Sequence, residues 1–252
     1  MNSDLWTQPI SKVEAPAYPC PHCGKGILLL DRQSLVHHQT VKSIRAQPDE
    51  GWDPDSVEYS FSCWLKCAAP KCQGLVAVVG HGFEEAGWDD EHGTTWSPRF
   101  QPEFALPMPP LFPVPGGCPD SVASEVRSSF RSLWSDQSAA ASRLRVAVEN
   151  LLDEIGISRR RRTAKGYEGL TLHQRIEVLA KAQPTVAANL MAIKWLGNTG
   201  SHESSVALGD LLKAYEIMEH ALDILLGQRA KLVATLAKDL TRRHARKRWR
   251  KK

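Results

Sequence analysis

Two groups of residues in this 252-residue chain have the types and spacing to do chemistry. The first is Cys20-Pro-His-Cys23-Gly-Lys-Gly together with Cys67-Ala-Ala-Pro-Lys-Cys72-Gln-Gly. A close pair of cysteines followed by glycine can close a tight turn that aims two thiolates and several backbone N–H groups at one point. Two such turns supply four thiolates, the donor set that suits tetrahedral Zn2+. The second group is Ile193 to His202, IKWLGNTGSH. Imidazole titrates near neutral pH, so His202 with Lys194 and Asn198 nearby could do acid–base chemistry or bind an anion. The same residues could instead cap helix ends and hydrogen-bond a corner of the backbone.

The elements that must hold the cysteines read as strands. Ile27 to Leu30 leaves the first pair, Val57 to Leu65 enters the second, and Leu75 to Val79 leaves it. Strand, knuckle and strand on each side is similar to the zinc-ribbon layout. The resemblance implies structural Zn2+ on Cys20, Cys23, Cys67 and Cys72, with no position open for water. Cys63 is expected to point away into the core and His22 to face solvent. Asp31 to Ser56 reads as an inserted hairpin loop whose His37 and His38 are solvated. Residues 1–17 are polar, with two prolines, and are expected to be poorly ordered. From His81 to Pro119 a series of prolines breaks any helix or central strand, while Trp88, Trp96, Phe100, Phe104 and Phe112 lie among them. That stretch reads as an extended segment packing its rings on its neighbours.

From Asp120 the apolar spacing is helical. One helix carries Val122, Val126, Phe130 and Leu133. A second, Gln137 to Ile155, is stopped by Gly156 and offers Arg145 and Glu149 at i,i+4 spacing. Arg159 to Arg162 with Lys165 form a basic loop. Leu170 to Ala182 is a third helix and Pro184 to Leu196 a fourth, which Gly197 and Asn198 are expected to stop in a left-handed turn. Ser204 or Ser205 then caps a fifth helix from about Val206. Its long apolar face suits a homodimer.

Composition is ordinary for a globular protein, 42% hydrophobic and 24% charged. No apolar run approaches the length of a membrane helix, and no signal peptide is visible. A cytoplasmic location and no membrane partner are expected, and there six cysteines favour metal over disulfides. Removing the eight Lys and Arg of residues 242–252 turns the net charge from +4 to −4. The body is mildly acidic and the basicity lies in the tail, where Arg242, Arg243, Arg246, Lys247, Arg248 and Arg250 could hold phosphates and Trp249 could stack on a base.

SRLRVAVENLL (Ser142–Leu152), LTLHQRI (Leu170–Ile176) and KWLGNTGSH (Lys194–His202) resemble the DUF4145 family, a bacterial domain of unknown function similar to the HEPN superfamily of helical domains. The resemblance implies a helical bundle that pairs with a second copy. It also implies a setting among restriction, toxin and antiphage systems, with a protein partner from such a system. Active HEPN RNases carry an Arg, a following polar residue and a later His. Asn198 and His202 match that pattern, with Lys194 the nearest cation, but Gly197 stands at the position of the Arg.

The expected organisation is α+β multidomain: a disordered N-terminus at 1–17, a small β zinc ribbon at 18–82, a Pro/aromatic linker at 83–118, an all-α HEPN-like bundle at 119–228 and a basic helical tail at 229–252. The expected function is a non-enzymatic module binding a partner protein or nucleic acid in bacterial defence. The competing expectation is a metal-independent endoribonuclease or toxin using Lys194, Asn198 and His202.

Overall fold

The computed structural model describes residues 1–48, 51–91, 93–164, 166–202, 205–226 and 235–244, the side chains of 199–202 excepted. The chain divides into two units, residues 1–113 with 127–140, and residues 114–126 with 141–252.

Alternation builds the first unit. In β2 (Glu58–Cys67) Phe61, Cys63, Leu65 and Cys67 are buried while Ser60, Ser62, Trp64 and Lys66 between them are exposed. β2 lies between β1 (Leu28–Gln39) and β3 (Leu75–Asp89), and β4 (Gly93–Leu106) completes an antiparallel sheet of order β1-β2-β3-β4. A short helix, α1 (Val41–Ala46), follows β1. The inner face packs Leu28, Phe61, Leu65, Val76, Val78 and Phe100.

Three expectations need correction here. Residues 1–17 are ordered, because Trp6 and Ile10 anchor them. Trp6 is 1% exposed and lies against the rings of Tyr18 and Trp134, and Ile10 exchanges backbone hydrogen bonds of 2.8 Å with Phe100. Residues 83–106 are no linker but the outer half of β3 and all of β4. Prolines fit β4 because the Phe100 N–H points away from β3 to Ile10, and Pro98 and Pro102 share that orientation, so no ladder donor is missing. The stretch 31–56 does extend a hairpin, as expected, but its His37 is not simply solvated. β1 continues through it past an irregularity between Asp31 and Val36, and His37 lies half-buried against the rings of Tyr59 and Phe100, at 5.2 and 5.1 Å. His38 is exposed, as expected.

The helices of the second half are α2 (Asp120–Arg131), α3 (Gln137–Glu154), α4 (Leu172–Ala180), α5 (Pro184–His202) and α6 (Leu208–Leu225). Gly156 at φ +81° ends the α3 region, as its lack of a Cβ allows. Thr171 and Gln174 form a capping box at α4. α5 does not stop at Gly197 and Asn198 but runs unbroken to His202. α6 begins at Leu208 after Ala207, with no side-chain cap; Ser204 lies outside the described residues. The apolar face of α6, Leu211, Leu212, Tyr215, Met218 and Leu222, is buried. Among the described residues no helix is long and apolar enough to cross a membrane.

Candidate functional site

The turn before β1 and the turn between β2 and β3 bring Cys20, Cys23, Cys67 and Cys72 together, all four sulfurs within 4.8 Å of one another. Cys20 and Cys72 Sγ are 3.8 Å apart, as are Cys23 and Cys67 Sγ. Four sulfurs placed tetrahedrally at about 2.3 Å from one Zn2+ stand about 3.8 Å apart. A disulfide would need about 2.05 Å. Each turn also aims backbone donors at its sulfurs: His22 N–H at Cys20, Gly26 N–H at Cys23 and Ala69 N–H at Cys67, each at 3.4 Å. The Lys25 and Gly26 N–H groups pull the Cys23 thiol down to about 6. At Cys67 the Ala69 N–H acts the same way, but burial and the other three thiols prevail and push it up to about 12. Four thiolates this close are compatible only around a cation, so the donor set fits a divalent metal.

Glycines make the knuckles possible. A Cβ on Gly26 would stand 2.5 Å from Cys67 Sγ, and one on Gly74 would stand 2.3 Å from the His22 ring. His22 is exposed, as expected, yet its Nε2–H donates to the Leu75 carbonyl at 2.9 Å and ties the first knuckle to the second. Cys63 is 3% exposed on the inner face of β2, outside the cluster, and burial pushes its thiol up to about 12.

The helical motif is arranged differently from the expected corner. Lys194, Asn198 and His202 follow one another at i,i+4 spacing along one continuous helix, so their backbones share a face. Lys194 is only 8% exposed, with Nζ 3.3 Å from the centroid of the Trp195 ring. Asn198 is half-buried, and the His202 side chain lies outside the described residues. Gly197 is the point where α5 meets α3: a Cβ there would stand 2.7 Å from Arg145 Cβ and 3.0 Å from the Ala141 carbonyl oxygen. Arg145 pairs with Glu149 at 3.2 Å, using the i,i+4 spacing.

Gly197→Ala therefore sets two effects against each other. Helix propensity favours Ala by about 1 kcal/mol. Overpacking costs about 1–3 kcal/mol, and here one neighbour is backbone and the other a Cβ that cannot swing away. Tm is expected to fall by about 2–6 °C, read by calorimetry. An unchanged or higher Tm would show that α3 and α5 are looser than described.

The structure adds a site that the sequence reading passed over as a basic loop. β5 (Arg160–Thr163) and β6 (Gly166–Gly169) form a hairpin, with Arg162 opposite Tyr167 and Arg161 opposite Glu168. Alternation puts Arg160, Arg162 and Tyr167 on one face, and Arg161 with Glu168, 2.8 Å apart, on the other. Tyr167 is 75% exposed, and among the described residues no carboxylate pairs with Arg160 or Arg162. The hairpin's base is fixed by Asp153. Its carboxylate takes Arg159 Nε at 3.0 Å to both oxygens and Arg175 Nη2 at 2.6 Å. Arg175, 3% exposed, also donates to the Ile157 carbonyl at 2.9 Å and the Glu149 carbonyl at 3.3 Å. The hydrogen bonds from Arg159 and the charge of Arg175 hold the Asp153 carboxyl below its ordinary value. In the tail, residues 235–244 are helical with Arg242 and Arg243 exposed; Arg246, Lys247, Arg248, Trp249 and Arg250 lie outside the described residues.

Residues 8–105, which cover all of the sheet but the last residue of β4, match the family model described as "Domain of unknown function (DUF8608)". Residues 127–245 match the one described as "Domain of unknown function (DUF4145)". No curated protein and no solved structure matches the chain.

Proposed function

We propose that the chain is a non-enzymatic binding module: a zinc ribbon joined to a HEPN-like helical bundle that holds nucleic acid, working with a protein partner in bacterial defence. One observation carries the non-enzymatic reading, the burial of Lys194 under the ring of Trp195. RNA cleavage through the 2′-OH needs a base, an acid and a cation turned toward the substrate. Lys194 is 8% exposed with its Nζ held against the Trp195 ring, and Gly197 has no side chain to contribute. A zinc on Cys20, Cys23, Cys67 and Cys72 has all four positions filled by protein, so its chemistry there is structural.

The nucleic-acid half of the reading rests on the hairpin. Arg160 and Arg162 follow one another at two-residue spacing along a strand, suited to successive phosphates, and Tyr167 offers a ring for a base. Arg242 and Arg243 of the tail add phosphate contacts. Titration of a fluorescent single-stranded RNA into the zinc-loaded chain tests this. The Arg160→Ala/Arg162→Ala variant is expected to bind more weakly, with a salt slope flatter by about 1.4, about 0.7 for each lost phosphate contact. An affinity and slope equal to the parent's would remove the hairpin from the interface.

A second reading, a metal-independent endoribonuclease that dimerises through its helical unit, draws on one feature. The Cβ and Cδ of Arg145 lie across Gly197, so an arginine from α3, paired with Glu149, flanks the stretch that lacks its own. On that reading Arg145 supplies the cation and His202 the proton transfers.

A further inference from the structure

The outer face of the sheet is apolar and uncovered. Three cross-strand rows run over it. The first joins Leu29, Lys66 and Leu75, the second Asp31, Trp64, Ala77 and Leu106, the third Val36, Ser62, Val79 and Phe104. Seven of these are large apolar side chains between 43% and 76% exposed, with Trp64 near the centre at 47% and Phe104 and Leu106 on the edge strand at 54% and 76%. No other face among the described residues gathers so many.

Together they expose roughly 700 Å² of apolar surface, above the 300–600 Å² of the largest patch on a typical monomer and close to the 800 Å² or so that each partner buries in a stable complex. The face has only two charges in these rows, Asp31 and Lys66, of opposite sign on neighbouring strands. That balance gives no attraction for a polyanion or an anionic membrane. It does satisfy a face that meets itself: a two-fold axis brings the same patch from both chains together, and each Asp31 can reach the other chain's Lys66.

We propose that this face is where a second copy of the chain docks, sheet on sheet, with Trp64, Val79 and Phe104 at the centre of an isologous interface. Two such sheets pack about 10 Å apart with interleaved side chains, as in a sandwich. The inference does not depend on the nucleic-acid reading. It also differs from a dimer built on α6, whose large apolar residues Leu211, Tyr215, Met218 and Leu222 are already buried.

Light scattering and sedimentation of the intact, zinc-loaded chain at micromolar concentration test it. The expected mass is that of two chains. Trp64→Glu should give the mass of one chain with zinc content and circular dichroism unchanged. The charges supply an arm that does not depend on Trp64. Asp31→Lys and Lys66→Asp should each weaken the dimer several-fold, and the two together should recover most of the loss, because the swap restores both pairs across the axis. A monomeric parent protein would overturn the proposal, including one whose Trp64 is shielded from quencher by other parts of the chain. So would a dimer that survives Trp64→Glu, which would place the contact elsewhere, or a double swap no better than the single ones.

Discussion

Cys67→Ser, or removal of the metal by a strong chelator, is expected to lower the melting temperature of the first unit by at least about 15 °C. A structural zinc site of this donor set contributes about 10–16 kcal/mol of apparent binding energy near neutral pH, against a total stability of about 5–15 kcal/mol for a domain. The sheet has its own core in Leu28, Leu65, Val76 and Phe100, so part of the unit stays collapsed without metal. The knuckle end does not, because Cys20 and Cys67 lie at the roots of β1 and β2 and Gly26 and Gly74 offer no side chains to replace the lost bonds. Cys63→Ala is the control. It removes a buried thiol from the same strand, costs only a small cavity, and is expected to leave one zinc per chain. Elemental analysis beside the melt decides. No metal in undisturbed protein, or equal losses from Cys67→Ser and Cys63→Ala, would remove the metal from the account.

The second large effect is expected at Asp153. Asp153→Ala leaves the Arg175 guanidinium, 3% exposed, without its carboxylate. Breaking a buried pair from one side costs about 3–5 kcal/mol, so Tm should fall by about 8–15 °C. Replacing both partners with apolar residues, Asp153→Leu with Arg175→Met, should recover much of that loss, because no buried unpaired charge then remains and the released Arg159 is exposed to solvent. The pH dependence follows from the sign of the shift. The folded-state value of Asp153 lies below its ordinary one, so the ionised form is the stabilising one. Its contribution is complete above the ordinary carboxylate range, about pH 4, and is lost as pH falls through the lowered value. Acid melts of the parent and of Asp153→Asn should therefore converge at low pH and separate above it. Parallel curves at every pH would show that the pair carries no net stability.

The sequence was legible where a residue's chemistry demands one environment. Four cysteines in two Gly-closed pairs can converge only in turns, and they do. The alternation of Val57 to Leu65 required a strand with one wet face, and Cys63 fell on the dry one. Periodic apolar positions placed α2, α3 and α4 and the starts of α5 and α6 close to their observed bounds, but not the end of α5. It misled where one residue type serves two ends. Gly197 and Asn198 have the composition of a helix stop, but Gly197 is the notch through which α5 approaches α3, a partner far away in sequence. Pro98 and Pro102 forbid a central strand, and only the edge position of β4 makes them compatible with a sheet. Trp6 and Ile10 in a polar N-terminus gave no sign of their distant partners Trp134 and Phe100. Four successive arginines read as a basic loop. Thr163, Tyr167 and a glycine between them were the available signs of a hairpin.

The most direct test of a module that holds RNA without cutting it is a single incubation of end-labelled single-stranded RNA with the purified chain in the presence of a mild chelator that leaves the cysteine site loaded. The same samples are run on a native gel and on a denaturing one. The predicted result is a salt-sensitive shift on the native gel and full-length RNA on the denaturing gel, with His202→Ala indistinguishable from the parent on both. Shortened RNA that is absent with a stably folded His202→Ala or Arg145→Ala protein would contradict it and establish the endoribonuclease instead.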